Sequence, residues 1–111
     1  MKKFMALYMA ERSVIDQMMK TPPEEMQAGI DAWMNWHKAN AKKVPELGAP
    51  RGKSKRISAR GLSDTKNEIT GYSIVEGDSF ESVAKIFDGH PHLQHPGCTI
   101  DLLEVMPVPG M

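Results

Sequence analysis

A chain of 111 residues is long enough for one hydrophobic core and too short for two. Its 41% hydrophobic and 25% charged residues are ordinary for a soluble globular protein. Fourteen basic residues balance fourteen acidic ones, which argues against a dedicated nucleic-acid or membrane-surface protein, and no apolar run approaches the roughly 20 residues that span a bilayer.

The start, MKKFMALYMAERSV, has two lysines before an apolar run. That run is short, and Glu11 and Arg12 stand where a signal peptide would place small residues for cleavage. Residues 4–10 therefore read as a strand, apolar at odd and even positions alike, as in a strand covered on both faces. Residues 13–20 suit one or two helical turns with Ser13 as cap. TPPEEMQAGIDAWMNWHKANAKK begins with a strong helix-start pattern: Thr21 as N-cap, Pro22 at the first helical position and Glu24 completing a capping box. At 100° per residue, Met26, Ile30, Trp33, His37 and Ala41 share one inward stripe, with Trp36 at its flank.

VPELGAPRGKSKR reads as a turn-rich connection and KSKRIS (53–58) as an exposed edge strand, with ARGLSDTKN a second loop. EITGYSIVE (68–76) is a strand. A helix capped by Asp78 follows, with Glu81 in its capping box and Phe80, Val83, Ala84 and Phe87 on its apolar face. Gly89 stops that helix. After GHPHLQHPGC (89–98), the stretch CTIDLLEVM (98–106) forms the last strand, ended by Pro107.

The order strand, helix, strand, strand, helix, strand is that of the α+β, ferredoxin-like βαββαβ fold, an antiparallel sheet with helices on one face and residues 1–111 in a single domain. Two strands carry apolar residues on both faces: Ile100 and Leu102 on one side, Leu103 and Val105 on the other. A second copy of the sheet is the simplest cover, so a homodimer is expected. One cysteine excludes an internal disulfide and points to the cytoplasm.

SDTKNEITGYSIVEGDSFESVAKIFDGHPH, followed by GCTIDLLEVMPVPGM, resembles the YCII-related proteins with a DGPF-type motif. The residues that carry the likeness are Thr65, Lys66, Gly71, Tyr72, Asp78, Ser79, Glu81, Ala84, His90, Pro91, Met106 and Pro107. The resemblance implies a dimeric α+β barrel. Some YCII-like members dechlorinate hydroxylated aromatics through a first-helix histidine and an aspartate before a Pro-Tyr pair. Here His90, Pro91 and His92 hold the latter place, Gly29, Ile30 and Asp31 hold the former, and GLSDTK replaces the DGPF tetrad, with Asp64 as its equivalent.

The histidine loop allows three readings. His90, His92, His95 and Cys98 are enough ligands for zinc, but their spacing fits no known pattern, and neither a metal nor a cofactor is expected. Acid–base work would use His90 and His92, with the helix end favouring protonated His90 and with His37 and Asp64 assisting. A structural reading has His90 and His92 bonded to backbone carbonyls and His37 at the core margin. Tyr72, Tyr8, Trp36 and His95 are the candidate ligand contacts, against plain packing for the aromatics. GAPRGKS (48–54) is one residue too short for a phosphate-cradling loop and opens no helix. The basic cluster Arg51, Lys53, Lys55, Arg56 and Arg60 reads as a solvated edge. Two functions follow: a homodimer holding a small apolar or aromatic molecule beside the His90–His95 loop, with cofactor-free proton transfer, or a non-catalytic scaffold, sensor or partner-binding module. Neither nucleic acid nor membrane is an expected partner.

Overall fold

The computed structural model describes residues 1–110. Strand β1 (Lys2–Ala10) leads into helix α1 (Arg12–Met18) and the long helix α2 (Pro23–Asn40). Strand β2 (Glu46–Pro50) follows, then a hairpin of β3 (Lys55–Ser58) and β4 (Gly61–Asp64). Strand β5 (Ile69–Gly77), helix α3 (Phe80–Ile86) and strand β6 (Cys98–Val105) complete the order. The main sheet runs β2-β5-β1-β6 with every neighbouring pair antiparallel, and β3-β4 form a separate two-stranded ribbon. Four main strands with β1 and β5 at the centre make the expected split βαβ arrangement.

The strand assignments near the middle need correction. The second strand of the main sheet is residues 46–50, within the stretch expected to be a connection, and KSKRIS pairs instead with part of the expected second loop. Gly48 is the reason the pattern is hard to read. Its φ of +79° places a bulge between Glu46 and Ala49, so alternation breaks within a five-residue strand. A Cβ at Gly48 would lie 1.7 Å from the Tyr72 carbonyl oxygen, so glycine alone lets β2 approach β5.

Alternation in β1 sorts the core. Phe4, Ala6, Tyr8 and Ala10 are buried on the helix-covered face, while Met5, Leu7 and Met9 lie half-buried on the other. Trp36, Val44, Val75, Val83, Ile86 and Phe87 complete the main cluster. A smaller one, Ala10, Ile15 and Cys98, seals the end of the sheet under α1.

The helices also depart from expectation. Pro22, not Thr21, occupies the N-cap of α2, with Pro23 first in the helix and no side-chain cap. Ser79, one residue after Asp78, caps α3 through a reciprocal bond with Ser82. The buried face of α3 is Val83 and Ile86, continued by Phe87, whereas Phe80 is half-exposed against the edge of Phe4 and Ala84 is exposed. Only the C-terminal half of α2 packs: Met26 and Ile30 are exposed and Trp36 is its buried anchor.

The radius of gyration is 15.5 Å, against the ~13 Å of a compact domain of this length. Extents of 44 × 43 × 19 Å describe a slab one sheet and one helical layer thick. No helix among the described residues is long and apolar enough to cross a membrane.

Gly48→Ala should therefore lower the unfolding free energy by about 2 kcal/mol or more, from the strained φ and the clash together. Urea denaturation measures this; an unchanged midpoint would contradict the bulge.

Candidate functional site

Gly89, with φ of +71°, turns the chain after α3 and sends His90 back under α2. A short 3-10 turn, Pro91–Gln94, then brings His92 against the β1–β6 seam. His90 is fully buried and His92 is 4% exposed. The His90 ring stacks on Tyr8 at 5.3 Å between centroids and meets the rings of Trp33 at 4.5 Å and Trp36 at 4.4 Å edge to face. The centre of the molecule is thus an imidazole enclosed by aromatic rings.

The hydrogen bonds fix the protons. His90 Nδ1 accepts from the His92 backbone N–H at 3.0 Å, so in the neutral ring the proton sits on Nε2. His92 Nε2 lies 2.8 Å from the Met9 carbonyl and 3.0 Å from that of Thr99, and two acceptors require it to be the donor. His92 is a clip that fastens the loop to two strands. Burial pushes the His90 pKa down to about 4, with the neighbouring His92 adding to the effect, and burial also lowers that of His92. The expectation that the helix end would favour charged His90 is overturned, because desolvation outweighs the dipole there. Two buried nitrogens, His90 Nε2 and His37 Nδ1, have no hydrogen-bond partner among the described residues.

Next to the imidazoles runs a hydroxyl chain that sequence reading missed. Ser73 Oγ donates to the Leu47 carbonyl at 2.5 Å, which leaves Tyr8 to donate to Ser73 at 2.8 Å. Tyr8 is 1% exposed and burial raises its phenol to about 12, against the smaller opposing effect of Ser73, so it stays a neutral donor. Ser73 was findable only as a polar residue on the inward phase of a strand. Trp36 Nε1 donates to the Ile86 carbonyl at 2.8 Å and its ring stacks on Phe87, so it ties α2 to the end of α3.

The other candidates lie elsewhere. Tyr72 pairs with Leu7 across β1 and so faces the open side of the sheet, opposite the histidine loop. Hydrogen bonding to the Glu46 carboxylate, and then its charge, raises the Tyr72 phenol. Asp64 sits on the ribbon, bonded to Lys55. His95 is exposed, and Cys98 packs among Ala10 and Ile15. Of the predicted set the fold unites His90, His92, Tyr8 and Trp36, and it separates Tyr72, Asp64 and His95 from them. No group of three or more metal-binding side chains converges among the described residues. Two surface depressions, of about 130 and 400 Å³, are lined by other residues than these histidines.

No family model and no curated protein matches the chain. Among solved structures it is similar to 5-chloro-2-hydroxyhydroquinone dehydrochlorinase from Burkholderia phenoliruptrix AC1100, in complex with 2,5-dihydroxybenzoquinone. The likeness covers 89% of this chain and 90% of that one, at 16% identity and a TM-score of 0.46.

Because folding lowers both histidine pKa values, the native state prefers them neutral. For His90 the stability this supplies is complete above about pH 6.5 and is lost as pH falls towards 4, and His92 contributes in the same direction. Unfolding free energy should fall between pH 6.5 and 5, by as much as about 1.4 kcal/mol per pH unit for each proton taken up on unfolding. His90→Asn, which keeps an acceptor and does not titrate, should make that slope shallower; an identical slope would contradict the assignment.

Proposed function

We propose that the protein acts as a homodimer in which the open faces of two sheets close on each other and hold a small apolar or aromatic molecule between them. The observation that carries this reading is the makeup of the uncovered face. Met5, Leu7, Ile74, Leu103 and Val105 project there from adjacent strands, and the last two are 45% and 43% exposed. A contiguous apolar surface on a folded chain is the usual mark of a contact. Tyr72 and Glu46 stand in the same face as its polar pair, a phenol beside a carboxylate. A pocket that is mostly apolar with a few convergent polar groups suits a small phenolic ligand.

This reading moves the ligand from the cleft first expected beside the His90–His95 loop to the opposite face of the sheet. Proton transfer by His90 or His92 is not part of it, since both rings are buried and held neutral and His92 is already bonded to two carbonyls. A single buried cysteine suits a reducing compartment such as the cytoplasm. The second reading is a non-catalytic module that binds a partner chain. It is favoured by the exposed stripe Met26, Ile30 and Met34 along α2.

Titration with hydroquinone, followed by heteronuclear NMR, separates the two. Saturable shifts should concentrate on Tyr72, Leu7 and Leu103. Tyr72→Phe should weaken binding by about three- to tenfold, and Leu103→Glu, which places a charge in the proposed contact, should abolish it. No saturable binding, or full binding by the Leu103→Glu chain, would contradict the proposal.

A further inference from the structure

The histidine cluster and the open face leave one built feature without a role. A groove of about 400 Å³ lies between Arg12 at the start of α1, the Arg51–Lys55 stretch leading from β2 into β3, and Asp64–Lys66 at the end of β4. Its lining includes five cations, Arg12, Arg51, Lys53, Lys55 and Lys66, and one carboxylate, Asp64. The whole chain is neutral, so this excess is local. Asp64 is already bonded to Lys55. The ion pairs among the described residues are that one and Lys2–Glu104, so neither arginine is neutralised.

The two guanidiniums are held in place by neutral groups. Arg12 Nη1 donates to the Asn67 carbonyl at 3.2 Å, and Arg51 Nη2 donates to the same oxygen at 3.4 Å. Arg51 Nη1 also reaches the Gly52 carbonyl at 2.7 Å, and its Nε donates to the Ile69 carbonyl. Asn67 is itself fixed: its Oδ1 accepts from Ile69 N and its Nδ2 donates to Ser54 Oγ. Two like charges converging on one carbonyl oxygen repel each other, and a bound anion removes that penalty. The Ser54 and Thr65 side chains add hydroxyl donors at the wall.

We propose that this groove binds the phosphate or pyrophosphate group of a small phosphorylated molecule. A phosphate presents several acceptor oxygens in different directions, which matches cations contributed from three separate segments. The volume leaves room for more than a lone inorganic ion. Small-molecule phosphate is favoured over nucleic acid because no aromatic ring lines the groove for a base to stack on and the chain as a whole carries no net positive charge. Part of GAPRGKS thus lines an anion site through the side chains of Arg51, Lys53 and Ser54. It does so without the loop-to-helix geometry of a phosphate-cradling motif, since β3 follows it.

Isothermal titration of the full chain with pyrophosphate at fixed ionic strength tests this. Saturable 1:1 binding is expected, weakened about tenfold by Arg12→Gln and by Arg51→Gln. Because Arg51 braces backbone carbonyls, Lys53→Gln and Lys66→Gln, at exposed positions, serve as the second pair and should each weaken binding about threefold. Lys2→Gln, across the molecule, should change nothing. No saturation by about 10 mM pyrophosphate, equal affinity in all variants, or tighter binding of single-stranded oligonucleotides that grows with their length would overturn the proposal.

Discussion

A four-stranded antiparallel sheet has two faces, and this chain supplies helices for one. On the covered face, the even-numbered positions of β1 are satisfied from within: Phe4, Ala6 and Tyr8 disappear beneath α3, the packed half of α2 and the histidine loop. On the other face nothing among the described residues covers Leu103, Val105 and Tyr72. At roughly 25 cal/mol per Å² of apolar surface, covering about 800 Å² on each partner is worth far more than any single contact described above. The slab shape, the half-buried central strand and the projecting helix all follow from this one-sided coverage.

Within the covered layer, polar groups are used as fasteners. The Tyr8–Ser73–Leu47 chain joins the two central strands to the bulged edge strand, His92 joins the loop to the β1–β6 seam, and Trp36 joins two helices. Each places a buried donor on a buried acceptor, the condition under which burying polarity is affordable. The orphaned nitrogens of His90 and His37 are the exceptions.

The strand order and the two-faced character of β1 and β6 were legible in the sequence, because apolar phase along a strand maps directly onto the two sides of a sheet. The second strand was not. Gly48 inserts a bulge that breaks the alternation, and the lysines of the ribbon look like any exposed edge. The N-caps of α2 and α3 lie one residue later than expected, at Pro22 and Ser79, and α1 starts at Arg12 instead of after Ser13. The structural reading of the histidine loop holds for His92, which bonds two backbone carbonyls, but not for His90, which accepts a backbone N–H. Whether an imidazole is a base or a core ring depends on Trp33, Trp36 and Tyr8, which lie far away in sequence and close in space. Likewise, Arg12 and Arg51 form one basic groove only because both reach the carbonyl of Asn67.

Sedimentation equilibrium of the unmodified chain at micromolar concentration tests the one-sided sheet most directly. The account predicts a particle near twice the 12.4 kDa chain mass, held through its open face. A stable 12.4 kDa species that neither associates nor precipitates would contradict it.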